Sequence, residues 1–230
     1  MPKINRDHIM AVGLNDQLVG AMMHGDRDLY TSVTGQPYVN VGSHTIEVPY
    51  WASQITVAYT GGGGAGGNGG TSGQNGTGGQ GGVVRIDRFI VDPEVRELEL
   101  YIGAGGPRNE SKEGLNGAAG TSTTVTYNGV THTASGGAGG TGKAGGNNQT
   151  GTSKIAMFYN THVDLERMVE NNSYGPGVRG VGRSIDAGGS AGQYGAGGGG
   201  GTGGWVGQWS PGGAGGNGRA DVWIIGRVLP

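Results

Sequence analysis

Residues 61–82 read GGGGAGGNGGTSGQNGTGGQGG, with glycine at every third position: Gly61, Gly64, Gly67, Gly70, Gly73, Gly76, Gly79 and Gly82. A second unbroken series runs Gly189, Gly192, Gly195, Gly198, Gly201, Gly204, Gly207, and shorter ones cover Gly114–Gly120, Gly136–Gly145 and Gly212–Gly218. Three residues per turn is the repeat of a polyproline-II-like backbone, which makes no internal hydrogen bonds. Every buried N–H and C=O of such a chain must find a partner on a neighbour. Neighbours come within reach only where no Cβ intervenes, so glycine must line each contact face. The series therefore predicts a bundle of polyglycine II helices, with one glycine stripe on an edge helix and two or three on a central one. On that geometry Asn68, Thr71, Gln74, Asn75 and Thr77 are expected on outer faces. Straight, the first run spans roughly 68 Å at about 3.1 Å per residue. A fold-back at Ser72 or Asn75 suits a small domain better.

Composition narrows the class. Glycine supplies 56 of 230 residues, proline 8 and cysteine none, against roughly 7% glycine in ordinary proteins. Collagen needs abundant proline between its glycines, and these runs have almost none. A disordered chain has no use for the strand-like apolar segments that separate the glycine runs. The lack of cysteine excludes disulfides, zinc–thiolate sites and thiol nucleophiles. A net charge of −2 from 15 basic and 17 acidic residues leaves no footprint for nucleic acid and no polybasic patch for a membrane surface. No stretch approaches the roughly 20 apolar residues of a membrane span. Met1–Asp7 lacks the basic start and apolar run of a secretory signal, which predicts synthesis in a cytoplasm.

Between the glycine runs the pattern changes to alternation. Thr45–Tyr50 and Gln54–Tyr59 read as two strands joined by a turn, as do Val83–Phe89 and Glu97–Ile102 around Asp92-Pro93. Thr123–Tyr127 and Val130–Ala134 flank Asn128-Gly129, a strong two-residue hairpin signal. Arg219–Val228 closes the chain as a further strand. The fold class expected is mainly irregular/β: short antiparallel strands, a polyglycine II bundle and a short N-terminal helix.

Two stretches depart from this plan. In residues 1–42, Asp7 caps an expected helix from about His8 to Met23, with Ile9, Met10, Leu14, Leu18 and Met22 near one face; Gly13 and Gly20 weaken it. Gly25 to Gly42 reads as an extended connector. The whole leader is either an attachment segment or a plain packed helix before the domain at 43–230. The other departure is glycine-free, Lys154–Tyr159 and His162–Glu170, and reads as an insertion at about 152–187 that ends in the loop Asn171–Gly177.

The order of these features resembles a known family. TIEVP (Thr45–Pro49) precedes ITVAYTGGGGAGG (Ile55–Gly67), then LELYIGAGG (Leu98–Gly106), TASGGAGG (Thr133–Gly140) and GGAGGNGRADVWII (Gly212–Ile225). Over about Ser43 to Val228 this resembles the glycine-rich domain of bacteriophage tail proteins. It is also similar in its glycine-run architecture to the adhesins that cap the long tail fibres of some T-even-type phages. The resemblance implies a virion tail protein made in the host cytoplasm, the receptor-binding tip of a fibre or spike. The alternative is a non-adhesive baseplate, collar or fibre-joint protein that uses the bundle as a rigid spacer. Implied partners are other tail proteins and a bacterial surface receptor, protein or polysaccharide, with no nucleic acid and no membrane insertion. A fibre end suits a homotrimer, whereas the adhesin resemblance implies one chain seated on a trimer. Ile9, Leu14, Leu18 and Met22 become the candidates for virion attachment.

The residues argue for binding rather than catalysis. Gly-x-Gly-x-x-Gly strings carry no information in so glycine-rich a chain, and no long helix follows them to cradle phosphate. His24, Asp26 and Asp28, and likewise His162, Asp164 and Glu166, read as solvated polar stretches rather than metal sites. The histidines form no recognisable nucleophilic constellation; a carboxylate pair for glycoside cleavage has nothing to support it. No enzyme activity, cofactor or metal is expected. Aromatic residues in turn-rich stretches suit recognition, offering large area with few rotors. Trp205 and Trp209 lie in GGWVGQWSPGG, and they either contact a receptor or cap the bundle. Tyr194 and the loop residues Asn171, Asn172 and Tyr174 complete the receptor-binding candidates. Trp51 and Trp223 fall in strand segments and are expected in the core. An ice-binding face needs a flat threonine- or alanine-rich side, which the Asn/Gln/Thr mixture of the runs does not supply.

Overall fold

The computed structural model of the protein describes residues 11–14, 17–20, 30–144, 150–151 and 189–228. Among the described residues there are ten strands: β1 (Ala11–Leu14), β2 (Gln17–Gly20), β3 (Tyr30–Tyr38), β4 (Gly42–Glu47), β5 (Ala52–Thr60), β6 (Val84–Ile90), β7 (Glu97–Ile102), β8 (Thr123–Tyr127), β9 (Val130–Ala134) and β10 (Arg219–Val228). Two four-stranded antiparallel sheets result, ordered β3-β10-β5-β6 and β4-β7-β8-β9. No α-helix occurs among the described residues.

The alternation read from the sequence sets the faces. In β7, Leu98, Leu100 and Ile102 are buried while Glu97, Glu99 and Tyr101 are exposed. One core cluster joins them to Ile46, Val125 and Tyr127 of the same sheet and to Ile55, Val57, Tyr59, Val222 and Ile224 of the other. The two sheets therefore pack face to face. Both turns read between paired strands cross from one sheet to the other, since β4 pairs with β7 while β5 pairs with β6 and β10. Asn128 and Gly129, with φ of 49° and 71°, make the tight β8–β9 hairpin, the left-handed pair that a type I′ turn requires.

Three expectations are corrected. Residues 11–14 and 17–20 are antiparallel strands, with Val12 opposite Val19, not part of a helix from His8 to Met23. Two short apolar stretches with Gly13 and Gly20 inside them satisfy strand pairing more readily than a helix, in which each glycine costs about 1 kcal/mol. The connector to Gly42 is extended, but over residues 30–38 it is strand β3, paired along β10 from Tyr30↔Val228 to Tyr38↔Ala220. Asn68 does not face outward: it is 2% exposed, for the reason given below.

Each glycine-rich segment leaves or enters the sandwich at one rim. Thr60, Ile102 and Ala134 end strands there, and Val84, Thr123 and Arg219 begin them. Thr123 ties that rim together, because its hydroxyl donates to the Thr60 carbonyl at 2.7 Å and accepts from the Gly103 N–H at 3.0 Å. From the rim, segment 61–70 runs wholly buried. Its N–H groups serve three neighbours in strict rotation. Gly61, Gly64, Gly67 and Gly70 donate to Val83, Gln80, Thr77 and Gln74; Gly62, Ala65 and Asn68 to Thr121, Ala118 and Leu115; Gly63, Gly66 and Gly69 to Gly216, Gly213 and Ser210. Its carbonyls accept in turn from other segments, Gly64, Gly67 and Gly70 from Gly198, Gly201 and Gly204, and Gly62, Ala65 and Asn68 from Gly137, Gly140 and Lys143. Segment 74–83 is the first segment folded back antiparallel, through the expected turn at Thr71–Gly73, where Gly73 has a φ of 79°.

Candidate functional site

The far end of the glycine segments collects their turns. At Thr71–Gly73, the Gly73 N–H donates to the Gly204 carbonyl at 2.7 Å, and Gly204 in turn donates to Gly70 at 3.0 Å. The Thr71 N–H donates to the Glu113 carboxylate at 2.5 Å, and Lys143 Nζ donates to the same carboxylate at 2.9 Å. Those two hydrogen bonds, the Thr71 one foremost, hold Glu113 well below the usual carboxylate range, at about 2. A Cβ on Gly70 or Gly114 would strike the Lys143 side chain, which lies across both. Three segments thus meet around one turn.

Beside it stands a tight hairpin. Gly203 and Trp209 form an antiparallel bridge, and the Gln208 N–H donates to the Trp205 carbonyl at 3.3 Å. Val206 and Gly207 between them have φ of 53° and 77°, again a type I′ pattern. A β-branched residue in the left-handed region is an outlier held there by its surroundings. Val206 is 96% exposed and Trp205 67% exposed; Ser72, Gly73, Gln74 and Gln208 are exposed as well.

The candidates read from the sequence separate here. Trp205 stands on the tip, while Trp209 is half-buried at the base of the hairpin. Tyr194 is also half-buried, and the Arg219 guanidinium carbon lies 5.1 Å from its ring centre, in cation–π range. Tyr194 is thus near the sandwich rim, away from Trp205. Asn171, Asn172 and Tyr174 lie outside the described residues, as do Ile9 and Met22, the insertion at 152–187 and both polar clusters weighed as metal sites. Leu14 and Leu18 belong to β1 and β2. Trp51 packs at the margin of the core cluster, whereas Trp223 is buried on the opposite face of its sheet, its ring 3.0 Å from where a Gly35 side chain would begin.

Sequence reasoning missed Val206, Glu113 and Lys143 on the tip. Val206-Gly207 carries a weak turn signal in its glycine. Nothing local marks Glu113 and Lys143, which meet only because their segments flank the same turn. Asn68 was missed in another sense. Its Nδ2 donates to the carbonyls of Asn109 at 3.0 Å and Lys112 at 2.7 Å, and its Oδ1 accepts from the Gly212 N–H at 3.0 Å. It fastens the loop before Gly114 to the central segment.

Two other polar groups lie on the strands of the sandwich, Arg219 and Asp221 on the same outer face of β10 as Trp223. Asp87 on β6 accepts from the Tyr59 hydroxyl at 2.5 Å and from Arg85 at 3.2 Å, and it lies 2.9 Å from His132 Nδ1 on β9. Burial pushes its carboxyl up, but hydrogen bonds from Tyr59, His132 and Arg85 outweigh burial and leave it lowered. Arg219 and Asp221, both buried, pair at 2.9 Å at the start of β10. There burial wins, and Asp221 is pushed up to about 6 despite Arg219. The Asp87 group ties β5, β6 and β9 together, whereas the Arg219–Asp221 pair lies along one strand, and neither opens onto the tip turn. Among the described residues no cluster of three or more His, Asp or Glu side chains can hold a metal ion, and no helix is long and apolar enough to cross a membrane.

Residues 39–224 match the family model of the glycine-rich domain, and the chain belongs to that family. No curated protein matches it.

Proposed function

We propose that this glycine-rich domain protein is a bacteriophage tail component, and that it forms the receptor-binding tip of a tail fibre or spike. The gathering of the Thr71–Gly73 turn and the Trp205–Gln208 hairpin at the end of the segments remote from the sandwich carries this reading. The partner rotation every three residues supports polyglycine II helices in the glycine segments. On that geometry segment 61–70 holds the tip roughly 30 Å from the sandwich rim, at about 3.1 Å per residue. A stalk saturated with backbone hydrogen bonds does not depend on a large side-chain core, so its end loops are free to differ. The action is binding, not bond-breaking. Its partners are other tail proteins and a bacterial surface receptor, and its place is the virion, reached after synthesis in the host cytoplasm.

A spacer in a baseplate, collar or fibre joint is the second reading. It draws on Tyr50 and Ile90, 86% and 80% exposed at the sandwich end away from the glycine segments, where apolar side chains suit a seat on another subunit. Adsorption blocking separates the two. Purified adhesin is expected to bind host cells and to slow adsorption of the phage; protein that does neither leaves only the spacer.

A further inference from the structure

Trp205 lies over a turn residue that has no side chain of its own. Of its ring atoms, the fused carbon Cε2 comes nearest to the position of a Cβ on Gly73, at 3.5 Å, followed by Cζ2 at 3.6 Å and Nε1 at 3.7 Å. An edge-on approach would bring Nε1 and Cζ2 closer than the fused carbon between them. The indole therefore turns one face toward the Cβ side of Gly73, across a space that the missing side chain leaves open, and 67% of the residue is exposed to solvent. Its support is stiff: Gly73 donates to Gly204, Gly204 to Gly70, and Gly203 to the Asn75 side chain at 2.8 Å.

The surroundings of the ring decide what it can receive. Ser72, Gln74 and Gln208 are exposed and uncharged, and they offer hydroxyl and amide groups that both donate and accept. The charged groups on the turn neutralise one another, Lys143 being bound to Glu113 at 2.9 Å. A phosphate or an anionic headgroup calls for a cation directed at it; Lys143 is committed to Glu113, and the exposed Lys112 belongs to the neighbouring loop rather than to the turns that carry the indole. A protein partner normally covers about 800 Å² on each side, and one indole with one valine is a small part of that. A pyranose ring matches the tip better: its C–H face packs on a flat aromatic, and its equatorial hydroxyls reach neutral amides at the rim.

We infer that Trp205, with Ser72, Gln74 and Gln208 around it, is a stacking platform for a neutral saccharide ring on the bacterial surface. The inference rests on the receptor-binding reading and names the chemistry of its target. Preorganisation is the reason for placing such a ring on a glycine bundle: the indole has little left to lose on binding.

The test uses the full chain against an array of neutral oligosaccharides of glucose, galactose and N-acetylhexosamines, with sialylated oligosaccharides and anionic phospholipid vesicles beside it, and whole host cells in parallel. Binding to neutral oligosaccharides is expected, weakened about tenfold or more in Trp205→Ala and largely kept in Trp205→Phe, which retains a flat ring. Circular dichroism of both variants is expected to match the parent, since Trp205 is exposed. Binding to cells without binding to any neutral oligosaccharide, binding only to the anionic probes, or equal binding by Trp205→Ala would overturn the platform and leave the receptor reading standing. Failure to bind either cells or saccharides would overturn both.

Discussion

The carbonyl oxygen of Ala138 fills the space that a side chain on Gly64 would need. Gly64 is meanwhile committed on both sides: its N–H donates to Gln80 at 2.8 Å and its carbonyl accepts from Gly198 at 2.9 Å. The neighbour at that position is backbone, with no rotamer to change.

Gly64→Ala is accordingly expected to destabilise the protein by about 3 kcal/mol or more, at or beyond the upper range for overpacking a core. Ser72→Ala, on the exposed turn of the same run, should stay within about 0.5 kcal/mol of the parent. Thermal or urea unfolding of the two variants checks this. Equal stability for Gly64→Ala would refute the close packing of segments 61–70 and 137–143.

Asn68→Leu should cost about 3 kcal/mol, because it strands the buried Gly212 N–H, at roughly 1–3 kcal/mol, and removes two hydrogen bonds to the carbonyls of Asn109 and Lys112, at about 1 kcal/mol each. Asn68→Asp keeps the shape but turns an acceptor toward the carbonyls of Asn109 and Lys112. It should therefore be at least as damaging at neutral pH. Hydrogen exchange on the Gly212 amide gives a local readout for the leucine variant, with faster exchange expected.

Asp87 on β6 and Asp221 on β10 act in opposite directions with pH. Asp87 has a folded value lowered below its ordinary 3.8, so its stabilisation is present above that value and is lost in acid as the pH falls through the folded one. Asp221 has a folded value raised to about 6, so its contribution is full below 3.8 and is lost as the pH rises through 6. The Asp221 effect amounts to roughly 3 kcal/mol across that window, at about 1.4 kcal/mol per pH unit. Unfolding midpoints followed from pH 2 to 8 should show a shallower acid slope in Asp87→Asn, with Glu113 supplying the rest, and should lose their decline between about pH 4 and 6 in Asp221→Asn.

Val206→Asn should stabilise the protein by about 1 kcal/mol, because asparagine accepts the left-handed backbone at φ 53° that valine resists. The side chain is 96% exposed, so no packing is lost. A melting temperature that falls would show the hairpin to be held by Val206 contacts rather than strained by them.

Sequence pattern alone was enough for the strands from Thr45 to Ala134, the Asn128-Gly129 hairpin and the fold-back near Ser72, because alternation, turn chemistry and glycine periodicity are local properties of the chain. The three-residue series also anticipated that glycine would line the contacts between segments. Which sheet each strand joins was not local: β4 and β5 follow one another yet part company at Pro49–Trp51, since each edge is completed by strands far along the chain. Outward placement of Asn68 failed for the same reason. Position within the repeat specifies the direction a side chain takes, but only the neighbours in that direction decide whether it meets water or three waiting backbone groups. The tip is the extreme case. Trp205 was visible as an aromatic among glycines, yet its placement over Gly73 and the Glu113–Lys143 pair beside that turn exist only because separate segments end together in space.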